Sequence, residues 1–123
     1  CIEACPTKAI EEPFVVNANK CLAYHTLENR EKELPKNIIN KMGNWIAGCD
    51  ICQEVCPWNE KDIPNTSEPD LQPSEWILNI NRKDALTWSD SKWKENLNKS
   101  ALKRIKPWMW RRNINSIINN ESK

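Results

Sequence analysis

Six cysteines are the residues of this 123-residue chain most able to do chemistry, and their spacing is typical of iron–sulfur ligation. In residues 48–59, GCDICQEVCPWN, the cysteines Cys49, Cys52 and Cys56 follow at offsets of three and four, and a proline comes next. A bacterial two-cluster run, C-x2-C-x2-C-x3-C-P, has the same order, with one more cysteine three residues earlier. That place is held by Ile46, which cannot bind iron. A replacement ligand must therefore come from elsewhere.

The opening residues, CIEACP, have the second half of the same run, with Cys1 in the third place and Cys5 in the fourth. The fourth cysteine of each run ligates the other cluster. Cys5 therefore joins two cysteines of the later run, and Cys21 is the one cysteine left for the remaining position. The sequence predicts one complete 4Fe–4S cluster, whose ligands are Cys5, Cys21, Cys49 and Cys52. A second 4Fe–4S cluster would take Cys1 and Cys56, with two further ligands from residues preceding Cys1.

Two other kinds of site use cysteines at such spacings. A structural zinc ion could take Cys49, Cys52 and Cys56 together with Cys21 or His25, the only histidine. Zinc does not explain two proline-terminated C-x3-C units, however. Disulfides fit an even cysteine count, whereas soft thiolate ligation of iron fits a reducing cytosol. We therefore predict iron–sulfur clusters in a cytoplasmic protein.

Short strands and short helices are both expected around the cysteines, so an α+β fold is predicted. "CPTKAI" predicts a turn and a strand, and "FVV" predicts a second strand. A helix is expected from near Pro35 to Gly43, because its apolar residues recur at helical spacing. Gly48 would let the backbone bend tightly into the cysteine run.

Three regions follow from this pattern. Residues 1–60 are predicted to form a bacterial two-cluster ferredoxin-like module, 61–75 a proline-rich linker, and 76–123 a short, basic helical tail.

Capping patterns predict the helices of the tail. Thr87 and Asp90 resemble a capping box, Ser100 is a candidate N-cap, and Pro107 suits the first turn of a last helix. The apolar stripe predicted for that helix consists of Trp110, Ile114, Ile117 and Ile118.

Charge is unevenly distributed along the chain. Residues 82–123 contain eleven Lys and Arg but four Asp and Glu, whereas the whole chain has a net charge of +1. A basic tail on an acidic body indicates a polyanionic partner. No run of about 18 apolar residues is present, so we predict no membrane span.

Four segments together resemble one family: "CIEACPTKAI", "CLAYHTLENR", "MGNWIAGCDICQEVCPWNEK" and "ALKRIKPWMWRRN". They are similar to epoxyqueuosine reductases, cobalamin-dependent iron–sulfur enzymes that complete queuosine at the wobble position of certain tRNAs. The resemblance implies an oxidoreductase in which two clusters pass electrons to the cobalt of a corrinoid, and the epoxide oxygen is removed.

The same resemblance implies which parts are expected here. The cobalamin domain and its proton-donating carboxylate would lie upstream, so we expect the C-terminal part of such an enzyme, with no catalytic acid of its own and no activity alone. Residues of the family that lie against the corrinoid correspond to Ala23, Cys49 and Asp50. Ala23 stands where the family usually has serine, so only its backbone could contact the cofactor. A tRNA substrate, an external electron donor and a monomeric state are also expected.

The tail interleaves cations with tryptophans, and two interpretations remain. Cations near phosphates and flat rings near unstacked bases are typical of proteins that bind looped RNA. The cations concerned are Lys103, Arg104, Lys106, Arg111 and Arg112. Alternatively, the tryptophans form a small core, and these are Trp88, Trp93, Trp108 and Trp110.

Two rival functions stay open on the sequence alone. One is a ferredoxin-type electron carrier serving another reductase, which the substitution at Ile46 and the basic tail disfavour. The other is a zinc-stabilised RNA-binding module without redox chemistry.

Overall fold

The computed structural model describes residues 1–59 and 63–122, and regular structure in them is mainly helical. The strands are β1 (Ile10–Glu12) and β2 (Val15–Val16). The α-helices are α1 (Leu22–Leu27), α2 (Lys36–Ile39), α3 (Ile51–Glu54), α4 (Glu75–Leu78), α5 (Arg82–Leu86), α6 (Asp90–Leu97) and α7 (Pro107–Glu121). Short 3-10 helices lie at Ala18–Lys20, Pro69–Leu71 and Ala101–Arg104. One small hairpin with several helices confirms the predicted α+β class.

The hairpin joins the first cysteine run to the rest of the chain. β1 and β2 are antiparallel, with Ile10 opposite Val16. Phe14 lies in the turn with φ of +68° and is fully exposed, so the strand predicted at "FVV" contains only its two valines. A bulky residue at positive φ belongs to a tight turn and not to a strand.

α2 begins where predicted but is shorter. Pro35 is its N-cap, yet the helix ends at Ile39 and not near Gly43. The N–H groups of Lys41 and Met42 then bond to carbonyl oxygens three residues back, which is a tighter turn than an α-helix. Gly43 follows in a left-handed conformation, with φ of +51°.

The predicted cap of α6 was wrong by two residues. Ser89 is the N-cap, and its hydroxyl accepts a hydrogen bond from the N–H of Lys92 at 3.2 Å. Thr87 instead ends α5, and its hydroxyl donates to the carbonyl oxygen of Asp84 at 2.7 Å. Both residue types cap helices well, so the local pattern could not distinguish the two positions.

The start of the last helix is confirmed. Ser100 caps the 3-10 helix through the N–H of Leu102, and Pro107 occupies the first turn of α7. Proline is favoured there because the N–H that it lacks has no partner within a helix.

Two hydrophobic clusters share α7. The tail cluster is made of residues from 85–114, namely Ala85, Trp93, Leu97, Ile105, Met109, Trp110 and Ile114. The α1–α2 cluster is made of Leu22, Leu34, Ile38, Met42 and Ile117. Ile46 is partly buried and packs against both. The position that lacks a cysteine therefore contributes to the core.

The tryptophans divide between core and surface. Trp93 and Trp110 are buried, and Trp88 packs against the tail cluster, whereas Trp108 is 41% exposed. Three of the four tryptophans thus belong to the predicted core. In residues 1–59 and 63–122, no helix is both long and apolar enough to cross a membrane. The division of the chain at residues 60 and 75 stays a prediction, and residues 60–62 lie outside the described part.

Candidate metal centre

All six cysteines are free thiols. Cys1 is exposed and the other five are partly buried. Thiols that are shielded from solvent but not bridged to one another are available as ligands for a soft metal centre.

Cys5 lies in a turn that aims backbone N–H groups at its sulfur. The N–H of Ala9 donates to Sγ at 3.2 Å, and the hydroxyl of Thr7 lies 3.7 Å from it. Burial raises the pKa of Cys5, but these hydrogen bonds outweigh burial, and the pKa is lowered from its ordinary value. Hydrogen bonds of this kind stabilise a thiolate, which is the form that binds iron.

Cys21 lies between two short helices. Its N–H donates to the carbonyl oxygen of Ala18 at 2.9 Å, and its own carbonyl accepts from the N–H of His25 at 3.1 Å. It is the N-cap of α1, which continues directly from the isolated cysteine. The position of this thiol therefore depends on where α1 is held.

Cys49 has three other thiols near it. Burial raises its pKa, the N–H of Ile51 lowers it, and the thiols of Cys52, Cys21 and Cys5 raise it further; the net pKa is raised. The structure thus brings Cys5, Cys21 and Cys52 within electrostatic reach of Cys49. These are the four cysteines that the spacing predicts for one cluster, and the ligand assignment itself stays a prediction.

The spacing of the thiols matters for the type of metal centre. In residues 1–59 and 63–122, no three His, Cys, Asp or Glu side chains are close enough to hold a single metal ion. In a cubane cluster each thiolate binds a different iron atom, so the ligands lie farther apart than those of one zinc ion. The thiols of Cys5, Cys21 and Cys52 near Cys49 are the type of ligand that a 4Fe–4S cluster requires.

His25 is held by hydrogen bonds on both ring nitrogens. Nε2 lies 2.8 Å from the carbonyl oxygen of Asn19, which can only accept, so Nε2 carries the proton. Nδ1 accepts from the side-chain amide of Asn29 at 2.9 Å, and the other end of that amide accepts from the N–H of Glu31. His25 is buried and is not available as a zinc ligand.

A threonine connects the segment after Cys21 to the segment before Cys49. The hydroxyl of Thr26 donates to the carbonyl oxygen of Leu22 at 2.9 Å and accepts from the N–H of Gly48 at 3.0 Å. Gly48 has φ of +76°, so the bend predicted there is present.

Side chains of the last helix, α7, donate hydrogen bonds to the same two segments. The side-chain N–H groups of Asn113 donate to the carbonyl oxygens of Thr26 at 2.9 Å and of Ile46 at 2.8 Å. Arg112 donates to the carbonyl oxygens of His25 and Asn29, at 3.0 and 2.8 Å. Burial and the nearby charge of Arg30 lower the pKa of Arg112.

Sequence reasoning missed this use of α7. One signal was present for the asparagine, because position 113 lies between Trp110 and Ile117 on the buried face. A polar residue in an apolar stripe indicates a buried hydrogen bond.

The residues expected at the corrinoid lie on two segments that a hydrogen bond joins. Ala23 is in α1, and Asp50 directly follows Cys49 at the start of α3. Since Thr26 joins α1 to Gly48, these segments are adjacent. Ala23 is half-buried and Asp50 is exposed.

The structure divides the tail cations into two groups. Arg112 is only 8% exposed, Arg111 forms an ion pair with Asp90 at 2.6 Å, and Arg104 forms one with Glu28. The guanidinium of Arg112 is thus used inside the fold, and its contact with RNA stays a prediction.

The second group consists of Lys103 and Lys106, which are exposed and have no ion pair within residues 1–59 and 63–122. Trp108 is in the first turn of α7, and the guanidinium carbon of Arg112 lies 5.4 Å from its ring centroid. A groove of about 890 Å³ runs beside it, between α7 and the segment 32–40. We call it the α7 groove; its lining includes Lys32, Lys36, Trp108, Arg111 and Asn115.

Comparison with known proteins identifies the cysteine region. A family described as "4Fe-4S double cluster binding domain" matches residues 1–59. This agrees with the predicted ferredoxin-like module and with iron–sulfur clusters as its metal centres.

Named relatives extend the similarity over nearly the whole chain. The epoxyqueuosine reductase of Prochlorococcus marinus (strain NATL2A) is 80% identical over 117 residues, which are 95% of this chain and 38% of the relative. That of Synechococcus sp. (strain CC9605) is 60% identical over 92% of this chain and 35% of the relative. The chain thus spans little more than a third of the length of these relatives.

Solved structures agree in fold. Epoxyqueuosine reductase from Bacillus subtilis covers 98% of this chain with 32% of its own length, at 31% identity and a TM-score of 0.85. An epoxyqueuosine reductase crystallised with a tRNA-Tyr epoxyqueuosine-modified stem loop has a TM-score of 0.84 at 31% identity, and this chain covers 31% of it. In sequence and in fold, this chain is therefore similar to about a third of an epoxyqueuosine reductase.

Proposed function

We propose that this chain is the electron-relay part of an epoxyqueuosine reductase, which reduces epoxyqueuosine to queuosine in tRNA. Relatives that are 80% and 60% identical bear that name, although the chain spans only part of their length. Removal of the epoxide oxygen as water takes up two electrons and two protons. Two 4Fe–4S clusters that each pass single electrons could supply the electrons.

The grouping of three thiols around Cys49 is the observation on which this proposal depends. Cys5, Cys21 and Cys52 all perturb the pKa of Cys49, although residues 5 and 52 lie far apart in the chain. With Cys49 they would hold one cluster. Cys1 and Cys56 would hold the second, with two ligands from the remainder of the reductase.

Cobalamin would lie against the segments that carry Ala23, Cys49 and Asp50. The fit is favourable in two respects: Thr26 keeps these segments together, and Asp50 is exposed. Ala23 has no side-chain hydrogen-bonding group and would contact the corrinoid through its backbone. When bound, the corrinoid would supply a metal that acts on the epoxide, and this chain would position it beside the clusters. The proton donor would come from the remainder of the reductase.

Contact with tRNA would fall on the α7 groove and on the two exposed lysines that precede α7. Lys32, Lys36, Lys103 and Lys106 are exposed cations, and the half-exposed ring of Trp108 lies among the groove residues. Phosphates attract such amines, and an unpaired base can stack on such a ring. A monomeric enzyme in the cytoplasm, reduced by an external electron donor, completes the proposal.

The test compares the parent protein with Cys21→Ala in the full-length reductase, prepared anaerobically. The parent should be brown, contain iron and sulfide for two clusters, and convert an epoxyqueuosine-containing stem loop only when cobalamin is present. Cys21→Ala should lose about half of the iron, because one of two clusters loses a ligand. It should also lose turnover.

Other results would favour the rival functions. A colourless protein with stoichiometric zinc would indicate an RNA-binding module. A brown protein that transfers electrons but shows no cobalamin-dependent turnover would indicate a ferredoxin-type carrier. Two intact clusters in Cys21→Ala would overturn the ligand assignment and leave the similarity to epoxyqueuosine reductases standing.

A further inference from the structure

Asn113 is fully buried and uses every hydrogen-bonding position of its side-chain amide. Its two N–H groups donate to the carbonyl oxygens of Thr26 and Ile46, at 2.9 and 2.8 Å. Its oxygen accepts from Nε and Nη2 of Arg112, at 3.1 and 3.0 Å. A buried amide with all its partners fixes the groups that it joins.

The two acceptors lie on different ligand-bearing segments. Thr26 is in α1, which begins directly after Cys21, and Ile46 is three residues before Cys49. Thr26 in turn accepts the N–H of Gly48. One side chain of α7 therefore connects the isolated cysteine to the later cysteine run.

Such a connection is needed because position 46 carries no cysteine. In a continuous run, the ligand at position 46 would be held by its own backbone next to Cys49. Here the replacement ligand, Cys21, is remote in sequence, so tertiary contacts must hold α1 against residues 46–49. The carbonyl of Ile46 accepts the hydrogen bond that does so.

We propose that Asn113 is a positioning residue for the cluster of Cys5, Cys21, Cys49 and Cys52, and that α7 is part of that metal centre. Arg112 supports it, because the same guanidinium orients the Asn113 amide and binds the carbonyl of His25 in α1. The inference rests on the proposed ligand assignment and adds a residue that binds no iron. Loss of the hydrogen bonds from Asn113 should affect this cluster and not the second one, because neither acceptor adjoins Cys1 or Cys56.

The experiment uses Asn113→Asp in the full-length reductase. Aspartate keeps the volume and the contact with Arg112 but removes both donated hydrogen bonds. Ile114→Ala is the control, because Ile114 is equally buried on the same helix and packs in the tail cluster. Iron and sulfide content, the electron paramagnetic resonance of the reduced protein and the thermal midpoint are measured for each.

Asn113→Asp should lose about half of its iron, and the signal of one cluster, while the second cluster remains. Ile114→Ala should keep both clusters at a comparable loss of thermal midpoint. The inference is overturned if Asn113→Asp keeps both clusters with unchanged spectra, or if both variants lose iron equally. If Asn113→Asp does not fold, Asn113→Ser, which retains one donor, is measured against the same outcomes. Cys21→Ala distinguishes an error in the ligand assignment from an error in the positioning role. If Cys21→Ala keeps both clusters, the ligand assignment is overturned. If only Asn113→Asp keeps both clusters, only the positioning role of Asn113 is overturned.

Discussion

The hydroxyl of Thr26 accepts a hydrogen bond from the N–H of Gly48 at 3.0 Å, across 22 residues of sequence. Thr26 is fully buried, and Gly48 immediately precedes the second cysteine run. This contact joins α1 to the bend that delivers Cys49. The relative position of Cys21 and Cys49, two predicted ligands, therefore depends on a side chain that is not itself a predicted ligand.

Thr26→Val should destabilise the fold by about 1–3 kcal/mol, because valine has nearly the same shape but leaves the N–H of Gly48 without its acceptor. Thr87→Val is a matched control. The hydroxyl of Thr87 is exposed and donates to the carbonyl of Asp84, which water can reach instead. That change should stay within about 0.5 kcal/mol. Anaerobic unfolding in denaturant compares the two, and equal losses would contradict the assigned contact.

Two buried tryptophans should respond differently to replacement by phenylalanine. Nε1 of Trp110 donates to the carbonyl oxygen of Ala85 at 3.3 Å, whereas Nε1 of Trp93 has no acceptor among residues 1–59 and 63–122. Removal of an unsatisfied buried N–H relieves a cost of about 1–3 kcal/mol. Trp110 also stacks on Trp88, with ring centroids 5.9 Å apart.

Trp93→Phe should therefore reduce the free energy of unfolding by less than Trp110→Phe does. The pair is its own control, because both rings lie in the tail cluster at similar burial. A larger loss for Trp93→Phe would mean that its ring nitrogen does have a partner.

Local patterns predicted the elements better than the contacts between them. Pro107 and Ser100 were recognised from the sequence because proline and serine act on their own backbone neighbourhood. The cysteine spacing likewise identified the type of metal centre. The hydrogen bonds from Asn113 cross 87 and 67 residues, and no local pattern determines such pairs. The burial of Arg112 could not be predicted for the same reason, since only its charge was visible in the sequence.

Charge reversal at Lys103 and Lys106 should weaken binding of the tRNA stem loop without a large effect on stability. Both amines are exposed, so each change should alter the free energy of unfolding by about 0.5 kcal/mol or less. Each lost phosphate contact should reduce the slope of log affinity against log salt by about one unit. A salt titration of stem-loop affinity measures this effect.

Arg112→Glu, in contrast to the two lysine variants, should mainly reduce stability. It would remove the donors to three backbone carbonyls and bury an acid in their place, so it should cost about 3 kcal/mol or more. Affinity that is equal in the parent and the lysine variants across all salt concentrations would place the tRNA elsewhere.

Ile46→Cys restores the spacing of an ordinary two-cluster run, and it should nevertheless fail to rescue Cys21→Ala. The side chain of Ile46 packs against both hydrophobic clusters, and its carbonyl is held by Asn113. A thiol at this position would replace a core methyl group and would not reach the place that Cys21 occupies beside Cys49. Iron and sulfide content of the double variant should therefore equal that of Cys21→Ala.

Ile46→Cys alone is the control for that experiment. It should keep both clusters and lose about 1 kcal/mol of stability, because a half-buried isoleucine is shortened. Recovery of the missing cluster in the double variant would show that residue 46 can approach the thiols. In that case the packing of Ile46 would not be the reason that the chain uses a distant cysteine.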